Sequence, residues 1–239
     1  MKRAAILGLL LAVVVPASGG AGSDRLTVFA ASSLTDALPK IDASPRYNFA
    51  GSPQLAFQIS QRAPADVFAA ASSKYPEDLY RKGLVFKPVR FATNRLVVIV
   101  PRANPARIHS VFDLRNDGVR LVIGAEGVPI GDYTRKLLAT LHLEAALDNV
   151  VSNETDVRSV VAKVALGGAD AGIVYATDAR SATGKLKTIT IPRRGQPTVV
   201  YEIAIVGSTK KLAAARAYVT AVRSSRGRAA LRSEGFGVP

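Results

Sequence analysis

The chain has 239 residues, 48% of them hydrophobic and 21% charged, which is the composition of a folded globular protein and excludes a disordered one. Cysteine is absent, which excludes disulfides, thiolate catalysis, Cys-ligated zinc, iron–sulfur clusters and a lipid-modified N-terminal cysteine. The formal net charge is +14, a balance that suits nucleic acid, an acidic membrane surface or small anions.

Lys2 and Arg3 precede an apolar run from Ala4 to Val15, then Pro16 and small residues up to Ala21. The run is well short of the 18 or more residues expected of a spanning helix, so residues 1–21 read as a signal peptide of an exported, periplasmic protein. Once Lys2 and Arg3 leave with it, 30 basic residues against 18 acids keep the charge at +12. Export and the lack of a basic tract interleaved with aromatics argue against nucleic acid.

In chain order, Leu26 to Ala31 is a buried strand that runs into Ser32-Ser33-Leu34, the usual opening of an α/β domain. Arg46 to Phe49 predicts a strand, Ser52 to Arg62 a helix, Asp66 to Ala70 a strand, and Lys74 to Lys82 a helix stopped by Gly83. Asn94 to Val100 is a strongly β-forming run closed by Pro101. Then come a helical turn at Ser110 to Leu114, a strand at Arg120 to Gly124, and helices at Gly131 to Leu141 and Asp156 to Leu166. A buried strand follows at Ala171 to Tyr175, with turn-rich chain from Ser181 to Lys187 and a loop from Pro192 to Pro197. Thr198 to Val206 is a long strand, followed by a helix over Lys211 to Arg223 and a shorter one. The two long Pro-flanked strands bracket about a hundred residues and are the candidate crossings between lobes, giving a first lobe of 24–97 plus 203–239 and a second of 98–202.

Enzyme signatures are missing: there is no G-x-S-x-G, P-loop or dinucleotide fingerprint, and His109 and His142 lack any zinc-site spacing. The late basic residues, Lys210 to Arg232, read as a solvated helix face. What the sequence does supply is a set of helix starts suited to an anion. Ser33 follows the first strand. Ser52, expected as an N-cap with Pro53 at the first helical position, follows Gly51. Val128-Pro129-Ile130-Gly131 and Thr155-Asp156-Val157-Arg158 open two more helices, and Tyr175 ends a strand. These are neutral N–H and O–H donors, which suit a fully ionised oxyanion. Asp36 and Asp156 are expected to stabilise the first turns of their helices and to stand outside the donor positions.

The blocks VFAASSLTDAL (Val28 to Leu38), FAGSPQLAFQI (Phe49 to Ile59), APADVFAAA (Ala63 to Ala71), NRLVVIVP (Asn94 to Pro101), RLVIGAEGVPIGDYTRKLL (Arg120 to Leu138), DVRSVVAKVALGGADAGIVYATDA (Asp156 to Ala179) and the closing GFGVP resemble the periplasmic molybdate-binding proteins of ABC importers. The resemblance implies an α/β, two-lobed type II periplasmic-binding fold, each lobe a sheet flanked by helices with the ligand in the interlobe cleft. It implies a molybdate or tungstate ligand held by the hydroxyls of Ser33 and Ser52, the backbone amides of Ile130 and Val157, and the Tyr175 hydroxyl. It further implies no cofactor, no metal other than molybdenum as the oxyanion, no catalysis, a monomer, and a membrane permease as partner. Only 18 residues separate Ser33 from Ser52, shorter than in relatives, so Thr35 to Ile41 forms no more than about two turns. Two alternatives stand beside this reading: a receptor of the same fold for sulfate or phosphate, and an exported hydrolase with a Ser/His pair assembled in space.

Overall fold

The computed structural model describes residues 25–182 and 184–239; the expected signal peptide lies outside the described residues. The strands are β1 (Thr27–Ala31), β2 (Arg46–Ala50), β3 (Val67–Ala70), β4 (Val89–Asn94), β5 (Leu96–Pro101), β6 (Leu121–Gly124), β7 (Val150–Glu154), β8 (Ala171–Tyr175), β9 (Leu186–Thr190) and β10 (Val199–Ile205). The helices are α1 (Leu38–Ile41), α2 (Ser52–Ser60), α3 (Lys74–Arg81), α4 (Pro129–Thr140), α5 (Val157–Ala165), α6 (Ala176–Ser181), α7 (Leu212–Arg223) and α8 (Ser225–Ser233).

Two five-stranded sheets form, in the orders β2-β1-β3-β10-β4 and β7-β6-β8-β5-β9. In each, three strands pair in parallel, as βα units require, and one strand is antiparallel to both its neighbours: β10, returning late in the chain, against β3 and β4, and β5, the first strand of its sheet, against β8 and β9. Helices pack on the sheets, so central strands such as β3, β6 and β8 are buried along their whole length and read as continuous apolar runs. The result is the expected two-lobed α/β architecture. No described helix is long and apolar enough to cross a membrane.

The crossings differ from the expected ones by a few residues. Asn94 to Val100 is not one strand: β4 ends at Asn94 in the first sheet and β5 begins at Leu96 in the second. Likewise Val199–Glu202, expected in the second lobe, pair with β4 of the first sheet. The chain therefore crosses at Arg95 and again between Thr190 and Val199. A side chain bridges the two crossings: Gln196 Oε1 accepts from Leu96 N–H at 2.9 Å and Gln196 Nε2 donates to Leu96 C=O at 2.8 Å. One amide thus satisfies both backbone groups of the first residue in β5 and ties the crossings together.

Sequence reading missed β4, β7, β9, α6 and a 3-10 segment at Glu144–Asn149. Strands β7 and β9 are the two outer strands of the second sheet and are only partly buried, so their apolar signal is weak. Between Ser33 and Ser52 the chain makes a 3-10 turn (Ser32–Leu34) and a single α-turn, α1, consistent with the short span.

Candidate functional site: a closed interlobe cavity of neutral donors

The carboxyl ends of the parallel strands in both sheets meet across one small cavity, the usual location for ligands in α/β folds. It is small, with only about 10 Å³ of room for the centre of a water-sized sphere, about what one water needs and far below the clefts that take drug-sized ligands. Ser33, Ser52, Ile130, Val157 and Tyr175 all line it, and none is more than 3% exposed. The five positions named from helix starts and a strand end are therefore neighbours in space.

Each reaches the cavity for a local reason. Ser33 lies in the 3-10 turn directly after β1. Ser52 follows β2, but it is the first helical residue of α2, with Gly51 at the N-cap and Pro53 second, rather than the N-cap itself. This shift leaves the hydroxyl free of a capping role. Pro129 opens α4 two residues earlier than expected; Val128 at the N-cap offers no side-chain acceptor, and the first bond from this turn is Asp132 N–H to Val128 C=O at 2.9 Å. The Ile130 amide is thus one of the orphan donors of a helix start. In α5, Asp156 is the N-cap and accepts from Arg158 N–H at 2.8 Å and Ser159 N–H at 3.2 Å, leaving the Val157 amide to the cavity.

The hydroxyls are polarised in one direction. Ser52 Oγ accepts from Ala71 N–H at 3.2 Å, and Ser33 Oγ accepts from the Tyr201 hydroxyl at 3.0 Å. One lone pair of each serine is occupied by a fixed donor, which leaves each serine proton free to be given to the cavity. Tyr175 Oη is fully buried without a hydrogen-bond partner among the described residues. Burial pushes its phenol well above the ordinary value, so it remains a neutral donor. Its ring is wedged edge-on between Tyr133 and Tyr201, with centroids 6.5 and 5.8 Å away.

No Lys, Arg or His lines the cavity. Contrary to expectation, Asp156 does, but its carboxylate is engaged by two backbone amides and by Ser159 Oγ at 2.9 Å. Asp36 also departs from expectation: it caps no helix and instead pairs with Arg158 on the opposite lobe. Arg158 Nε lies 2.9 Å from Asp178, which is wholly buried and whose carboxyl burial lifts to about 7 against the pull of the Arg158 charge. Further contacts span the lobes. Tyr75 donates to Gly127 C=O, Lys74 Nζ lies 3.7 Å from Asp132, and a Cβ added at Gly51 would come within 2.2 Å of Thr155 C=O. The lobes are closed on one another. His109 and His142 are exposed and lie outside the cavity, so neither serine of the site has a histidine beside it.

Arg158, Asp36, Asp178 and Tyr201 were not singled out as acting on the site from sequence. Arg158 directly follows Val157 and Asp178 comes three residues after Tyr175, which was the available signal for two of them; Tyr201 looks like any core residue of an apolar strand.

A family model described as bacterial extracellular solute-binding protein matches residues 26–237. The molybdate-binding protein ModA of Mycobacterium tuberculosis (strain ATCC 25618 / H37Rv) is 37% identical, with the match covering 94% of this chain and 88% of the relative. ModA of Escherichia coli (strain K12) is 32% identical over 83% of this chain and 84% of its own length. Among solved structures, the periplasmic molybdate-binding protein of Azotobacter vinelandii shares the fold with a TM-score of 0.80 at 22% identity, covering 90% of this chain and 100% of that one. The sulfate-binding protein SubI of Mycobacterium tuberculosis H37Rv matches with a TM-score of 0.75 at 16% identity, over 89% and 86% of the two chains. Two lobes in contact, a small cavity between them and a family match over nearly the whole described chain converge: the chain belongs to the bacterial extracellular solute-binding proteins.

Proposed function

We propose that this protein is an extracytoplasmic receptor that binds molybdate, and tungstate with it, in the interlobe cavity and delivers it to the permease of an ABC importer. The ligand-binding groups in this reading are Ser33 Oγ, Ser52 Oγ, the Ile130 and Val157 amides, and Tyr175 Oη. The protein is read as a periplasmic monomer that performs no chemistry on the ligand, and the lobes as meeting at Arg95 and at the segment between Thr190 and Val199. Two relatives above 30% identity that carry the name molybdate-binding protein support the choice of anion.

The observation that carries the reading is the unpartnered, buried Tyr175 hydroxyl on one cavity with two serine hydroxyls that each accept a hydrogen bond from behind. A buried donor without a partner costs about 1–3 kcal/mol, and a tetrahedral dianion removes that cost at all five positions together. An acceptor-only ligand fits because every lining donor is neutral and carries a proton to give, while the one carboxylate on the wall, Asp156, is already engaged by two amides and a hydroxyl and is poorly placed to accept from a protonated oxyanion. Specificity over sulfate follows from size: a smaller tetrahedron cannot stand about 2.7–3.1 Å from all five donors at once. Binding energy that spans the lobes is available only in the closed form, so the ligand shifts the population toward closure.

The test is thermal unfolding with a small oxyanion panel. A ligand at 100 times its Kd adds about 2.7 kcal/mol, which raises Tm by roughly 5–10 °C for a domain of this size. Micromolar molybdate and tungstate should produce that rise, with sulfate and phosphate far weaker. An equal response to sulfate would replace this reading by a general oxyanion receptor of the same fold, and no response to molybdate would end it.

A further inference from the structure

Tyr201 is fully buried in the middle of β10 and does not line the cavity, yet its hydroxyl donates to the Ser33 hydroxyl at 3.0 Å. Behind it stands Asn94, the last residue of β4, at the crossing between lobes. Arg95 N–H donates to Asn94 Oδ1 at 2.9 Å, which fixes which end of the amide is oxygen. Asn94 Nδ2 therefore points its two protons elsewhere: one to Thr177 Oγ1 of the second lobe at 2.9 Å, the other to Tyr201 Oη at 3.4 Å. Each link forces the next. The amide can only donate to Tyr201, so Tyr201 gives its own proton to Ser33, and Ser33 has only the cavity to which to give its proton.

We propose that Tyr201 is a positioning residue for anion binding: through a one-way donor chain from Asn94, it holds the Ser33 hydroxyl as a donor aimed at the ligand. The inference rests on the cavity being an oxyanion site. Hydrogen bonds in series polarise one another, so the last proton of the chain is a better donor to an anion than an isolated serine would be. Burial and the neighbouring Asp178 push the Tyr201 phenol well above its ordinary value, so the chain keeps its proton. Because Asn94 also holds Thr177, the chain starts where the two lobes join and ends at the ligand.

The experiment is calorimetric titration of molybdate into the full mature chain and into Tyr201→Phe, Ser33→Ala and the double variant, with Tm of each anion-free protein measured alongside. Tyr201→Phe keeps the ring against Tyr175, Phe91 and Phe236 and removes only the hydroxyl. Its affinity should fall about 10-fold while the anion-free Tm stays within a few degrees of wild type. On the Ser33→Ala background the same change should cost less than 2-fold, since the proton it directs is gone. A structural role alone would make the two effects multiply. Multiplication, or wild-type affinity in Tyr201→Phe, overturns the proposal. Asn94→Ala, which breaks the chain one step earlier, should weaken binding in the same direction and serves if Tyr201→Phe does not fold. Wild-type protein that does not bind molybdate overturns the reading of the cavity itself, a result distinct from wild-type binding without the coupling.

Discussion

Two polar clusters lie side by side between the lobes and are built on opposite rules. The cavity wall holds neutral donors, namely the hydroxyls of Ser33, Ser52 and Tyr175 and the amides of Ile130 and Val157. The neighbouring cluster holds ionisable groups, Arg158 between Asp36 of the first lobe and Asp178 of the second, with Arg158 Nη1 also donating to Ser181 Oγ at 3.1 Å. Val157 and Arg158 are consecutive, so one helix start serves both: its first amide faces the cavity and its second side chain reaches the opposite lobe. The contrast teaches a division of labour. A dianion that loses its water needs donors that bring no counter-charge of their own to desolvate, whereas two lobes that must part and meet again are well served by a charge pair that water can resolvate when they open.

The comparison breaks most sharply if charge is moved into the neutral cluster. Ser52→Asp places a carboxylate against the ligand, and molybdate affinity should fall by about 10³-fold or more in calorimetry, because neither charge has water or a partner there. Retained binding would mean that Ser52 does not face the anion. Removing a neutral donor is a smaller change. Tyr175→Phe or Ser52→Ala should each weaken molybdate binding by roughly 1–3 kcal/mol, about 5- to 150-fold, with wild-type affinity in both showing that these hydroxyls are not ligand contacts.

Loosening the charged cluster should matter less. The side chains of Arg158 and Asp36 are 29% and 42% exposed, so their pair is worth at most about 1 kcal/mol. Asp36→Asn should weaken molybdate binding by about 2- to 5-fold, mainly through faster release in stopped-flow traces, and the loss should shrink at high salt. An effect as large as that of Tyr175→Phe would put Asp36 in the binding shell rather than at the lobe contact.

The change expected to touch binding least is one of stability with pH. Burial lifts the Asp178 carboxyl from 3.8 to about 7, with Arg158 opposing the rise and Asp36 and Asp156 adding to it. A carboxyl with a raised folded pKa favours the fold most fully below its ordinary value and loses that contribution as pH climbs through about 7. Asp178→Asn is neutral throughout, so its Tm relative to wild type should improve by several degrees between pH 4 and pH 8. A difference that stays constant across this range would show that Asp178 does not titrate there.

Much of the fold was legible because the central strands are short apolar runs and because proline or serine marks the helix starts: α2, α4 and α5 begin within two residues of their expected positions. The shared cavity followed from the same signals, since helix starts after parallel strands must gather at one edge of each sheet. What escaped were features without a local signature. The half-exposed strand β7 and β9, with its Lys and Thr residues, carry no continuous apolar run. Asn94 reads as an ordinary strand residue, although its amide governs both a crossing and a buried tyrosine. Asp36 and Arg158 lie 122 positions apart, and only the closed arrangement of lobes reveals them as partners.

The most direct test is a crystal structure of the protein grown with molybdate, with the metal located by its anomalous scattering. The expected result is a single molybdenum peak in the interlobe cavity, its oxygens about 2.7–3.1 Å from Ser33 Oγ, Ser52 Oγ, Ile130 N, Val157 N and Tyr175 Oη. A peak at the basic surface of α7 and α8, or an anion held in the cavity by Arg158 in place of the neutral donors, would contradict it.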